Sequence, residues 1–261
     1  MRVALIGNGA IAKLLTSYCL KRPGDLEIVG ALGLPRHKAS VGAHDLVGSL
    51  PELLARDPEL IVECAGHGAV AAYAAAILDH HVDLLIASSG SLADPRVWES
   101  VSRAAERTRA QLRVPAGALP GVDALAAARL AGLTRVKLSS SKPPLSWSGT
   151  PAENAHRLGN LTARTVIFQG NAREAALAYP KNANVAATAA LAGVGFERTE
   201  VELVADPALS QNKHALLAEG TFGTLQMEIV ANPSPDNAKT SEIAALSLVR
   251  ALYNTTAGIV V

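Results

Sequence analysis

The sequence predicts an α/β chain: a doubly wound parallel sheet first, then an α+β domain with a largely antiparallel sheet. Three observations predict it. Short apolar runs alternate with stretches of helical period through residues 1–118, which calls for parallel strands joined by right-handed crossovers. Beyond Pro120 the runs alternate apolar with polar side chains, as strands with one buried face do. A glycine-rich turn, Gly7-Asn8-Gly9-Ala10-Ile11-Ala12, separates the first strand-like run from the first helical one.

Taken in order, residues 3–6 form a short buried strand, and 11–20 carry apolar side chains at helical spacing. Residues 27–32, 60–64, 82–87 and 111–114 supply the next strands, with helices at 50–55, 69–78 and 95–109. In the second half, strands are predicted at 136–140, 166–169, 198–204, 214–219 and 224–231. Helices at 121–130, 150–158, 172–178 and 184–192 cover one side of their sheet. Residues 240–253 are helical again, and the stripe Ile243, Leu246, Leu248 and Leu252 suits a helix that folds back onto the first domain. The expected domains are therefore 1–118, completed by 235–261, and 119–234.

Composition narrows the partners. The 24 Lys and Arg against 23 Asp and Glu leave a formal charge of +1, without the basic excess that nucleic acid attracts. No run approaches the roughly 20 uninterrupted apolar positions of a membrane helix. Met1 to Ile6 passes straight into a strand pattern, without the features of a signal peptide, so a cytoplasmic protein is expected. Cys19 and Cys64 form no disulfide framework and no CxxC pair, and they suit small buried hydrophobes. No metal site is expected.

The turn reads G-x-G-x-x-A. Gly7 permits the tight bend, Gly9 lets the backbone approach a pyrophosphate, and small Ala12 allows close helix packing. The amides at the helix start, at Ala10 and Ile11, then face the phosphates. The bland counterpart is a structural strand-to-helix turn, but the context of strand, helix and βαβ unit favours a Rossmann-like dinucleotide site. The end of the second strand, Leu32-Gly33-Leu34-Pro35, lacks the acid that often bonds the ribose of NAD. Arg36, His37 and Lys38 follow; Arg36 could accept the 2′-phosphate of NADP, or the cluster could be a solvated loop, so the cofactor is NAD or NADP.

Further candidates lie at strand ends. In Glu63-Cys64-Ala65-Gly66-His67-Gly68, Ala65 and Gly66 are expected to border the nicotinamide, with His67 either a catalyst or simply exposed between its glycines; Ser88-Ser89-Gly90 reads similarly. In Tyr179-Pro180-Lys181-Asn182-Ala183-Asn184, Asn182 or Asn184 could cap a helix, and Lys181 beside the open helix start suits a carboxylate. Of the seven histidines, His37, His44, His80, His81 and His156 fall in apparent surface loops or helix ends. His214, in Asn212-Lys213-His214, lies in the domain that should hold the substrate, and imidazole is suited to proton exchange near neutral pH.

Together these pieces resemble the L-aspartate dehydrogenase family, which is built like dihydrodipicolinate reductase and homoserine dehydrogenase. The resemblance runs nearly end to end, through Gly7 to Ile11, Pro115-Ala116-Gly117-Ala118, Ser141-Lys142-Pro143-Pro144, Tyr179 to Ala186, Asn212-Lys213-His214, Asn232-Pro233-Ser234 and Asn237 to Ser241. Ala12, Ala116 and Ser141 depart from the residues usual there. The resemblance implies that His214 is the catalytic base, that Ala118 and Asn184 contact the cofactor, and that Lys142 and Lys181, with Asn182, address the substrate. It implies oxidation of L-aspartate to iminoaspartate, hydrolysing to oxaloacetate and ammonia, in a homodimer paired through an apolar-rich sheet face. The alternatives are a reductase of another small acid, against which stands the missing His-His-Lys stretch, and a dinucleotide sensor that has lost catalysis.

Overall fold

Strands β1 (Arg2–Ile6), β2 (Glu27–Leu32), β3 (Leu46–Val47), β4 (Leu60–Glu63), β5 (Asp83–Ile86) and β6 (Leu112–Arg113) form one sheet in the order β3-β2-β1-β4-β5-β6. All its pairs are parallel. This computed structural model describes residues 1–21, 25–33, 45–180, 184–234 and 237–260. β4 is buried throughout and β1 nearly so, which is why these strands read as continuous apolar runs rather than alternating ones. Helices α1 (Ala10–Cys19), α2 (Leu50–Leu54), α3 (His67–Asp79) and α4 (Pro95–Thr108) are the crossovers. The strand order reverses between β1 and β4, where such sheets bind ligands.

The chain forms two compact units. One comprises Met1–Ser91, Pro95–Pro115 and Ala245–Val261; the other comprises Leu92–Asp94 and Ala116–Ala244. In the second, α5 (Val122–Leu130) leads into the long β7 (Leu133–Lys142), followed by α6 (Pro151–Ala155), β8 (Thr165–Asn171), α7 (Ala172–Ala178) and α8 (Asn184–Ala192). β9 (Thr199–Ala205), β10 (Asn212–Gly220) and β11 (Gly223–Ala231) complete a sheet ordered β11-β10-β7-β9-β8. It is antiparallel except for the β7–β9 pair. Helices α5, α7 and α8 pack on this sheet, and Val136, Leu138, Leu216 and Ala218 are the buried aliphatic residues of β7 and β10 on the covered face.

The opposite face carries ion pairs among its apolar positions. Arg135 pairs with Glu200 and Glu219, Lys137 and Arg164 with Glu202, and Lys213 with Glu228. Cross-strand alternation placed these ionic side chains outward because the covered face took the aliphatic ones.

Several boundaries differ from the predicted ones. The helix expected over 150–158 is cut to Pro151–Ala155, because Thr150 caps its start and His156 is already extended. β7 runs two residues beyond the predicted strand and takes Ser141 and Lys142 into the sheet. A short hairpin of β12 (Pro233–Ser234) and β13 (Asn237–Ser241) replaces the first residues of the predicted last helix, which begins at Glu242 as α9 (Glu242–Tyr253). α9 returns to the first unit, where Leu248 and Leu252 of the predicted stripe, with Val249, share a core with Leu5, Leu15, Val62 and Leu85, while Ile243 of that stripe is 42% exposed because the buried face of the helix turns one position on. The Tyr253 hydroxyl donates to the carbonyl of Tyr18 at 2.7 Å.

Candidate active site

The glycine turn lies at the carboxyl end of β1. Gly7 has φ 110°, and a Cβ there would stand 3.0 Å from the carbonyl carbon and oxygen of Cys64, so only glycine fits. Gly9 is the N-cap of α1 and gives it no side-chain cap, no acid occupies the first turn, and the space beside Gly9 is open. Ala10 and Ile11 are half-buried, and Ala12 is fully buried against the sheet.

Across the reversal, β4 ends at Glu63. Ala65 and Gly66 follow, and Gly66 (φ 116°) is the N-cap of α3, again without a side-chain cap. His67 is thus the first helical residue rather than part of a loop. Two helix starts capped by glycine, without a side-chain cap, therefore follow neighbouring strands. This arrangement fits a pyrophosphate, since amide donors and helix dipoles both favour an anion. Arg36, His37 and Lys38 lie outside the described residues, so the 2′-phosphate question rests on sequence alone.

In the second unit, His214 and Ser140 are directly opposed on β10 and β7, on the covered face. Ser140 Oγ lies 2.9 Å from His214 Nδ1. The imidazole is only 2% exposed, and burial, with the charge of Lys142 adding to it, lowers its pKa to about 3. Lys142, two residues along from Ser140 and 5% exposed, is lowered by burial to about 8. Its Nζ stands 5.4 Å from the centre of the Trp147 ring, a cation–π contact. Trp147 donates from Nε1 to the carbonyl of Val204 at 3.0 Å and meets Tyr179 edge-on at 6.0 Å. The arrangement combines a neutral imidazole, able to take a proton, with a buried cation, able to hold an anion.

Among the remaining candidates, Ala118 is buried and Asn184 is the first residue of α8. Lys181 and Asn182 lie outside the described residues. Ser140 and Trp147 carry no motif of their own; register and burial bring them to His214 and Lys142. Among the described residues no cluster of three or more His, Cys, Asp or Glu could hold a metal, and no helix is long and apolar enough to cross a membrane. Both cysteines are free, with thiols pushed up by burial, and for Cys64 also by Glu63.

Residues 123–255 match the family profile described as aspartate dehydrogenase, C-terminal. The chain is 41% identical over 260 residues to an L-aspartate dehydrogenase of Polaromonas sp., covering 97% of each. It belongs to the L-aspartate dehydrogenase family. The counterpart from Ralstonia nicotianae is likewise 41% identical, over 261 residues and 97% of both chains. Residues 6–115 match the profile described as homoserine dehydrogenase, NAD binding domain. Among solved structures, aspartate dehydrogenase from Thermotoga maritima superposes with a TM-score of 0.80 at 28% identity, covering 100% of this chain and 99% of that one. An amine dehydrogenase from Mycobacterium smegmatis, at 13% identity and TM-score 0.59, covering 99% of this chain and 93% of its own, shares the fold alone. As a member of this family the chain is an oxidoreductase with a Rossmann-like NAD-binding domain.

Proposed function

We propose that this protein catalyses the reversible oxidation of L-aspartate to iminoaspartate with NAD or NADP, the imine then hydrolysing to oxaloacetate and ammonia. The observation that carries the reading is the buried pair His214 and Lys142: a neutral base and a cation on one sheet face.

In this reading the first unit holds the dinucleotide through Gly7, Gly9, Ala10 and Ile11, and through Ala65 and Gly66, with Arg36 addressing a 2′-phosphate when one is present. Ala118 and Asn184 of the second unit complete the contacts. When bound, the cofactor supplies a hydride acceptor at its nicotinamide ring. The functional division is 1–118 with 235–261 for the cofactor and 119–234 for the substrate.

The substrate loses hydride from Cα and a proton from its ammonium, because nitrogen needs a free electron pair to form C=N. His214 takes that proton. When the Ser140 hydroxyl accepts from Nδ1–H, the lone pair stands on Nε2, the form in which the imidazole is a base. Lys142 receives a substrate carboxylate, and that negative charge offsets the cation that depresses His214, raising the imidazole's proton affinity as the substrate arrives. Lys181 and Asn182 are assigned to the second carboxylate. The enzyme works in the cytoplasm as a homodimer, and its imine product can enter pyridine nucleotide synthesis.

The test is an absorbance assay for reduced nicotinamide with L-aspartate and NAD or NADP, beside D-aspartate, L-glutamate and L-malate. Reduction with L-aspartate alone is expected. His214→Ala should lower kcat by about a hundredfold or more while cofactor still binds. Silence with every substrate in a protein that binds cofactor would favour a sensor instead.

A further inference from the structure

The end of β4 carries a buried charge that the reaction does not use. Glu63 is 1% exposed. Its Oε1 accepts from the amides of Ala65 and Gly66, both at 2.7 Å, and from the Ser88 hydroxyl at 3.0 Å. Its Oε2 accepts from the Ser88 amide at 3.1 Å. The three amides of Ala65, Gly66 and Ser88 can only donate, and they reach both oxygens, so these contacts suit the ionised form. Among the described residues no Lys or Arg pairs with it. Burial pushes its pKa up, and the four hydrogen bonds oppose that shift.

The carboxylate therefore ties three things together at one edge of the sheet: the end of β4, the turn into α3, and the end of β5. It fixes Gly66 at its left-handed φ and leaves the space above Gly66 and Gly68 open. Gly7 packs on the Cys64 backbone carbonyl, and none of the four Glu63 hydrogen bonds reaches the first glycine turn. In a sheet of this order the adenosine half of a dinucleotide lies over β1 and β2, and the other half crosses to β4.

We propose that Glu63 is a positioning residue for the dinucleotide site: through Ala65 and Gly66 it sets the shape of the turn that receives the half of the cofactor beyond the adenosine diphosphate. The proposal rests on the dinucleotide reading above. Its effect is selective, because the β1 turn keeps its own support from Gly7 N–H to the Leu32 carbonyl at 2.9 Å.

Calorimetric titration with NADH or NADPH, and separately with adenosine diphosphate, tests it. Glu63→Gln keeps the size but sets an amide NH2 against donors, and should weaken the reduced dinucleotide about tenfold while adenosine diphosphate stays within about twofold. Ser88→Ala removes one hydroxyl donor and keeps the backbone; it should show the same split at about threefold, which keeps the test open should the glutamine variant not fold. Unchanged dinucleotide affinity in a folded variant overturns the proposal, as does an equal loss for both ligands, which marks general damage to the unit. If wild type binds neither ligand, the dinucleotide reading falls and the proposal with it.

Discussion

Burial acts in the same direction on Lys142 and His214, because a charge withdrawn from water is disfavoured whichever side chain carries it. Lys142 is lowered to about 8 and His214 to about 3. In the unliganded protein the ammonium of Lys142 is therefore lost as pH rises through about 8, some way below its ordinary 10.5, while His214 is neutral throughout that range. The proposed carboxylate contact makes this visible with a dicarboxylate that has no amine of its own. Inhibition by succinate should weaken about tenfold per pH unit above about 8, and Lys142→Arg, whose guanidinium does not titrate there, should abolish that limb. A flat profile in wild type would remove Lys142 from the carboxylate site. At this scale His214 and Lys142 were legible, each standing in a short motif. Ser140 was not, since it is one of three consecutive serines and only the β7–β10 register selects it. Glu63 was hidden differently: an acid closing an apolar strand gives no sign in sequence of the four donors that fold back onto it.

The βα turn is the element whose role sequence conveyed best, because the need for glycine there is local. Gly7→Ala adds a Cβ at φ 110° against the Cys64 carbonyl, 3.0 Å away, and nothing flexible can yield. We expect it to cost about 2 kcal/mol of stability in denaturant unfolding and to weaken dinucleotide binding at least as strongly. Wild-type behaviour on both counts would mean that the turn relaxes. Of the three two-residue strands in the described residues, two escaped notice. β3 and β12 are too short for a side-chain period to register, and they exist because a neighbouring strand leaves an edge to pair with. The parallel β7–β9 pair was equally unreadable, since alternation shows that a strand has one buried face but not which neighbour it takes.

At the scale of the whole molecule, the apolar stripe of the last helix pointed to a return to the first unit, and Leu248 and Leu252 make it, but Val249 takes the place that Ile243, left exposed, was expected to fill. The ion pairs on the outer face of the second sheet were not legible, because alternation shows that one face is polar without showing how its charges pair across strands. If the proposed homodimer uses that face, it must meet ion pairs already satisfied within one chain, so the apolar positions among them decide the contact. Leu217 is the test case: it lies between Lys137 and Gln226 in the register of β7, β10 and β11. Light scattering at micromolar concentration should give twice the chain mass, and Leu217→Arg, which adds a cation beside Lys137, should give a monomer. A wild-type monomer refutes the dimer; a Leu217→Arg dimer moves the interface elsewhere.

The placement of the two indoles makes the protein its own optical reporter. The chain holds two tryptophans: Trp98, 45% exposed on α4 in the first unit, and Trp147, fully buried in the second. A water-borne quencher reaches the first and not the second. The unquenched emission then comes from the ring that Lys142 overlies, so a change at that ammonium, from titration or from an arriving anion, alters the light from one known residue. Occupancy of the proposed substrate site thus becomes measurable without turnover and without a label.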